Sequence, residues 1–166
     1  MTGILIHEID FKDLMVMKTN QDIAIEEVLH SYQALFENLS LEVVEKDFLA
    51  IFAEQVHFKD PFNETYDLAS LQKIFRHMFT TLQQPKFTVL HTAGAGKTGY
   101  LDWQFDFNLK PEGKAQQIKG LSKILINDQQ QVIAHIEYWD AGEFVYSKVP
   151  ILRNLVGLVN RRLSVN

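Results

Sequence analysis

Apolar residues recur at spacings of three and four along three stretches in the first half of the chain, which is the pattern of amphipathic helices. Thr19 and Asp22 form a candidate capping box for the first helix. Ser40 and Asp67 are candidate N-caps for the second and third helices, and Gln83-Gln84-Pro85 ends the third. The apolar positions are Ile25, Val28, Leu29, Tyr32, Leu35, Phe36 and Leu39, then Leu41, Val44, Phe48, Ile51 and Phe52, then Leu68, Leu71, Ile74, Phe75, Met78, Phe79 and Leu82.

From residue 86 the apolar period changes to two, which predicts β-strands. Apolar residues alternate with polar ones along residues 101–109, so this strand should bury one face. Turn signals at 94–99 and 111–114 separate it from its neighbours, and further strands are predicted at 56–60, 116–126 and 131–140. Helices followed by a run of strands predict an α+β fold, in which three N-terminal helices cover a curved antiparallel sheet.

The length of 166 residues suits one domain. We expect an N-terminal arm over 1–18, a main body over 19–140 and a tail over 141–166 that belongs to the same domain. Pro150 is placed to begin a final amphipathic helix, with concentrated positive charge at Arg153, Arg161 and Arg162. Packing within the chain or in a dimer is the favoured role of this helix. Its alternative role is peripheral contact with a membrane surface.

Composition narrows the classes of function. The net charge is −5 without a large basic cluster, so nucleic acid is not an expected partner. The absence of cysteine fits a cytoplasmic protein. The six histidines form no ligand motif, so neither a metal nor another cofactor is predicted. Residues 94–98 resemble the end of a phosphate loop, but His91 replaces a required glycine and a strand follows instead of a helix.

Strand alternation also predicts polar side chains on the concave face of the sheet. If the aromatic stripe of residues 101–107 faces inward, Ser122 faces inward on the next strand, and His135 and Glu137 on the last. With Asp60 they would form a polar group in an aromatic cavity, where low dielectric raises carboxyl pKa values. Alternatively, His135 and Glu137 satisfy structural hydrogen bonds, and Asp60 forms an Asx-type turn before Pro61.

Two motifs carry a resemblance to a known family. Asp60-Pro61-Phe62 follows the second helix, and Tyr138-Trp139 lies near the end of the last strand. With the order of elements over residues 22–140, they resemble the NTF2-like superfamily, which includes SnoaL-like cyclases and ketosteroid isomerases. The resemblance implies a cone-shaped α+β fold and a homodimer.

The resemblance also implies roles for individual residues. In ketosteroid isomerases the aspartate of a similar motif is the base that moves a proton across the steroid, and this role falls on Asp60. The second, protonated aspartate of the isomerases is replaced by Ser122, which argues against ketosteroid isomerase activity itself. The tyrosine of the first helix corresponds to Tyr32 or Phe36, and a supporting tyrosine of the third helix corresponds to Phe75.

Two functions are predicted as alternatives. The first is binding of a small apolar molecule, with cofactor-independent isomerisation, cyclisation or hydration. In it Asp60 is the base, and Ser122, His135 and Tyr32 are hydrogen-bond donors. The residues predicted to contact the ligand are Phe36, Phe75, Trp103, Phe105, Phe107, Glu137 and Trp139. The second function is a non-catalytic binding or assembly module, whose cavity is blocked by Phe36, Phe75 or the tail.

Overall fold

The computed structural model describes residues 20–109 and 113–165, with side chains from residue 24 onward. The helices are α1 (Asn20–Glu37), α2 (Leu41–Lys46), α3 (Phe48–Ile51), α4 (Leu68–Thr81), α5 (Ala141–Phe144) and α6 (Pro150–Leu163). The strands are β1 (Phe52–Lys59), β2 (Glu64–Thr65), β3 (Leu82–Ala95), β4 (Thr98–Leu109), β5 (Ala115–Ile126) and β6 (Val132–Tyr138). A 3₁₀ turn, Tyr146–Lys148, precedes α6. The predicted arm, the capping box and the Pro111-Glu112 part of the predicted turn lie outside the described side chains.

The strands form one curved, open sheet in the order β2-β1-β6-β5-β4-β3. The helix α1 covers β3 and β4, whereas α4 packs on β1 and β3. The predicted α+β fold is therefore confirmed. The sheet is not wholly antiparallel, however, because β1 and β6 run parallel while the other neighbours run antiparallel. These two strands are joined through α4 and four intervening strands, a connection long enough to let them run in the same direction.

The two predicted N-caps of the described helices are confirmed. The Ser40 hydroxyl accepts a hydrogen bond from the backbone N–H of Val43 at 3.2 Å, and the Asp67 carboxylate accepts one from Ser70 at 2.8 Å. In each case a side-chain oxygen satisfies an N–H that has no partner within its helix. The same two contacts fix where α2 and α4 begin.

The second predicted helix is wrong in its extent. It breaks at Asp47 into α2 and α3, and Phe52 begins β1 instead of ending a helix. Val44, Phe48 and Phe52 are all buried and are spaced four residues apart. This spacing fits a continuous helix, but a strand that begins on its inward face satisfies it equally well.

The last helix begins at Pro150 as predicted, but it does not pack on the core. Ile151, Leu158 and Leu163 are 75%, 63% and 76% exposed, and the main contacts of α6 are with the preceding 3₁₀ turn. The expected packing within the chain is therefore not observed among the described residues. The helices α1 and α4 already cover the concave side of the sheet, where α6 would otherwise have buried its apolar side chains.

Candidate active site

The register of three strands brings the predicted polar residues together. Ser122 on β5 lies between Leu101 on β4 and Glu137 on β6, and His135 pairs with Ile124. Leu101, Ser122 and His135 are buried at 2%, 3% and 1% exposure, so this is the face covered by the helices. The inward orientation predicted for Ser122, His135 and Glu137 is confirmed.

Gly120 makes room for a hydrogen bond between Trp103 and Ser122. Trp103 lies directly opposite Gly120, and a Cβ atom at Gly120 would stand 2.4 Å from the indole ring. The ring therefore rests against the bare backbone of β5. From there its Nε1–H donates a hydrogen bond to the Ser122 hydroxyl at 2.9 Å.

The imidazole of His135 continues the network. Its Nε2 lies 2.9 Å from Ser122 Oγ, and its Nδ1 lies 2.7 Å from the Tyr32 hydroxyl. Burial lowers the pKa of His135 to about 3, so the ring is neutral near pH 7 and carries one N–H. Burial, and then the charge of Glu137, raise the pKa of Tyr32 well above its usual value, so its hydroxyl remains a donor. A Tyr32 O–H that donates to Nδ1 leaves the imidazole proton on Nε2.

Glu137 is the buried carboxyl group of the site. Its side chain is 10% exposed, and Oε1 lies 3.4 Å from Nε2 of His135. Burial and, to a lesser degree, the negative charge of Asp60 raise its pKa to about 8, against a hydrogen bond from Trp139 that lowers it. Glu137 is therefore predominantly protonated at neutral pH.

Asp60 follows β1 and is held in a tight turn. Its Oδ1 accepts hydrogen bonds from the backbone N–H groups of Phe62 and Asn63, both at 2.6 Å. The side-chain amide of Asn63 donates to both carboxylate oxygens, at 3.1 and 2.9 Å. This is the Asx-type turn that was the alternative interpretation of the residue. The turn nevertheless leaves Asp60 on the wall of a largely apolar cavity.

An open, largely apolar cavity of about 340 Å³ lies between α4 and the sheet. Seven of the predicted site residues line it: Asp60, Phe75, Trp103, Phe105, Phe107, Glu137 and Trp139. The other four, Tyr32, Phe36, Ser122 and His135, surround a separate space of about 10 Å³, which Trp103 and Glu137 also line. Glu137 and Trp103 thus connect the buried network to the cavity.

Sequence reasoning missed part of the cavity wall. The residues that it did not assign to a ligand are Phe58, Phe62, Asn63, Ile74, His77, Met78, Thr81, Leu82, Phe87, Leu109, Ile118 and Val145. Ile74 and Phe75 lie four and three residues before Met78, so the apolar stripe of α4 was an available signal. Val145 had no such signal, because it lies in the irregular segment after the sheet.

The described residues contain neither a cluster suited to a metal ion nor a helix that could span a membrane. No three His, Asp or Glu side chains within 24–109 and 113–165 are arranged to hold a metal ion. None of the helices that the structure describes is long and apolar enough to cross a membrane.

The fold and its cavity define an NTF2-like cone with a carboxyl group inside. A family model described as a SnoaL-like domain matches residues 27–138, and the chain belongs to this family. The match runs from α1 to the end of β6 and so includes Tyr32, Asp60, Ser122, His135 and Glu137. A sequence comparison with curated proteins finds no match.

Solved structures with the same fold come from proteins with several different names. A candidate polyketide cyclase from Xanthomonas campestris pv. campestris is 12% identical, with a TM-score of 0.63 over 76% of this chain and 97% of its own. An LEH-like epoxide hydrolase from M. tuberculosis is 13% identical, with a TM-score of 0.59 over 84% and 97%. An NTF2-like protein of unknown function from Exiguobacterium sp. 255-15 is 17% identical, with a TM-score of 0.59 over 68% and 98%. At these identities the likeness establishes the fold alone.

Proposed function

We propose that this protein binds a small, largely apolar molecule in the cone and exchanges a proton with it through Glu137, without a cofactor. The observation that carries the proposal is a carboxyl group with a pKa of about 8 in the wall of an otherwise largely apolar cavity. Burying an acid costs stability, and strongly shifted carboxyl groups in clefts are concentrated at catalytic sites.

The size and lining of the cavity support a small apolar ligand. Its volume of about 340 Å³ lies at the lower end of ordinary ligand sites, and Phe, Trp, Ile, Leu and Met side chains form most of its wall. Neither Phe36 nor α6 lines the cavity, and Phe75 forms part of its wall while leaving it open. An open cavity favours the ligand-binding function over the module with a blocked cavity.

Glu137 is suited to both directions of proton transfer. A carboxyl group with a pKa of about 8 is mostly protonated at pH 7, but about a tenth of the molecules carry it as carboxylate. As a base, such a group can remove a proton from the carbon beside a carbonyl and return it to another atom. As an acid, it can protonate a leaving oxygen or an oxygen that gains negative charge. Isomerisation, cyclisation and hydration all use steps of this kind. The imidazole Nε2 of His135 lies 3.4 Å from Oε1 of this carboxyl group.

Asp60 is not the base in this proposal, although the resemblance implied that role. Its two oxygens already accept four hydrogen bonds within the turn, so few lone pairs remain for a substrate proton. Its negative charge acts on Glu137 instead and favours the protonated form of that residue. Ser122, His135 and Tyr32 form a hydrogen-bonded network beneath the cavity, next to the carboxyl group of Glu137.

The first test is native mass spectrometry of the purified protein, followed by denaturing extraction and identification of any bound molecule. We expect an apolar metabolite. Its turnover should be lost in Glu137→Gln, while binding persists because the amide has the same shape. The matched control is Glu54→Gln, since Glu54 is exposed on β1 away from the cavity.

The two carboxyl groups give distinct outcomes. Loss of turnover in Asp60→Asn but not in Glu137→Gln would return the role of base to Asp60. A ligand that is bound but not converted, with equal affinity in both variants and in the wild type, would instead identify a non-catalytic binding module.

A further inference from the structure

The helix α6 presents an apolar surface that no other described residue covers. Its apolar side chains lie on one arc of the helix, and Ile151, Leu155, Leu158 and Leu163 are between 57% and 76% exposed. An apolar surface of this kind marks a site of interaction. Because α6 contacts mainly the 3₁₀ turn before it, this surface is not part of the core.

The tail has the opposite charge from the rest of the chain. Residues 144–166 contain four basic side chains, Lys148, Arg153, Arg161 and Arg162, and no acidic one. The remaining 12 basic and 21 acidic residues give residues 1–143 a net charge of −9. Two such tails would repel each other, whereas an anionic surface attracts each of them.

We infer that α6 binds along the surface of a membrane that contains anionic lipids. Arg153 and Arg161 lie on the side of the helix opposite the apolar arc, which is the arrangement of a helix at a membrane interface. Its 14 residues suit a helix that lies along the surface. Arg162 falls within the apolar arc, between Ile151 and Leu155 around the helix axis, but it lies in the last turn, where its long side chain reaches the headgroups.

The same helix is attached close to the rim of the cavity. Val145 lines the cavity about five positions before Pro150, and the ring of Tyr146 lies 6.3 Å from that of Phe62, another lining residue. A helix held at a membrane therefore keeps the cavity close to the lipid phase. Entry of an apolar ligand from the bilayer follows from this geometry and rests on the proposed function, whereas binding of α6 to the membrane does not.

The test is sedimentation of the full chain with vesicles of phosphatidylcholine alone or mixed with phosphatidylglycerol. We expect binding to the mixed vesicles that weakens as salt increases. Replacing Arg153, Arg161 and Arg162 by Gln should weaken it by roughly fivefold for each arginine. The control replaces Lys73, Lys114 and Lys119, three exposed lysines outside the tail, by Gln. It changes the net charge equally and should bind as the wild type does.

A second variant tests the apolar arc. Leu155→Ser with Leu158→Ser should abolish vesicle binding and leave the melting temperature unchanged, because both side chains are exposed. Absence of binding to mixed vesicles, or equal binding by the arginine and lysine variants, would overturn the inference. The inference would also be overturned if light scattering showed a dimer that this leucine variant dissociates, and the protein did not bind vesicles. Turnover that depends on Glu137 but persists without vesicle binding would leave the proposed function intact.

Discussion

Replacing Glu137 by Gln should make the free energy of unfolding depend on pH between 4.5 and 6.5. In the wild type, Glu137 and His135 together should leave it independent of pH in this range. Burial raises the pKa of Glu137 from 4.5 to about 8 and lowers that of His135 from 6.5 to about 3. Between pH 4.5 and 6.5, unfolding therefore releases a proton from the carboxyl group and adds one to the imidazole. The two changes cancel in the free energy of unfolding.

The sign and size of the effect follow from His135, the one of the two groups that still titrates in the variant. In Glu137→Gln only the imidazole titrates, and its folded pKa lies below its unfolded value of 6.5. Acid therefore favours the unfolded chain, and stability rises with pH by about 1.4 kcal/mol per unit, or roughly 3 kcal/mol between pH 4.5 and 6.5. In the wild type, folded Glu137 keeps its proton up to about pH 8, so stability falls by roughly 2 kcal/mol above pH 6.5. The variant should lack this fall.

The assay is urea unfolding at half-unit steps from pH 4.5 to 8.5, for the wild type, Glu137→Gln and the exposed control Glu54→Gln. The difference between wild type and variant cancels the other titrating groups of the chain. Nitrogen-15 NMR of the imidazole at pH 6 checks independently that His135 is neutral. Parallel profiles for the wild type and Glu137→Gln would refute the reasoning, since they would mean that Glu137 binds protons alike in the folded and unfolded states.

Three further substitutions test the construction of the site. Gly120→Ala should displace the Trp103 ring and lower stability by roughly 1–3 kcal/mol, measured by urea unfolding, with a change in tryptophan fluorescence. Ser122→Ala leaves the buried indole N–H and the imidazole without their shared partner, so a loss of about 1–3 kcal/mol is expected in the same assay. Asp60→Asn should cost about 1 kcal/mol in chemical unfolding, because its new amide group faces the Asn63 amide. An unchanged stability would exclude a structural role for the Asp60 turn.

The orientation of the site residues could be predicted because strand alternation is a local property. Once the aromatic stripe of β4 faces the core, the antiparallel register fixes Ser122, His135 and Glu137 on the same face. The Asp60 turn was also visible, since a short carboxylate before proline favours backbone N–H groups nearby. These inferences need only neighbouring strands and turns.

The depth of each residue could not be predicted, because it depends on how the helices cross the sheet. Tyr32 and Phe36 on α1 cover His135 and close it off from the cavity, whereas Glu137 lies one residue before the end of β6 and reaches it. Helix periodicity gives the buried side of α1 but not the angle at which it crosses the strands. The sequence therefore indicated four polar residues in one cavity, where the structure has two at its wall and two beneath it.

The parallel pairing of β1 with β6 has a consequence for how the site is assembled during synthesis. Phe58 pairs with His135, 77 positions later in the chain, so β1 has only the two-residue strand β2 beside it until β6 has been made. Contacts this distant in sequence are slow to form, because a long loop must close first. Asp60 follows the end of β1, and Glu137 lies near the end of β6. A ribosome-bound chain that lacks residues 132–138 thus has an unprotected strand edge and no second carboxyl group, so the acidic cavity is completed only when the sheet itself is complete.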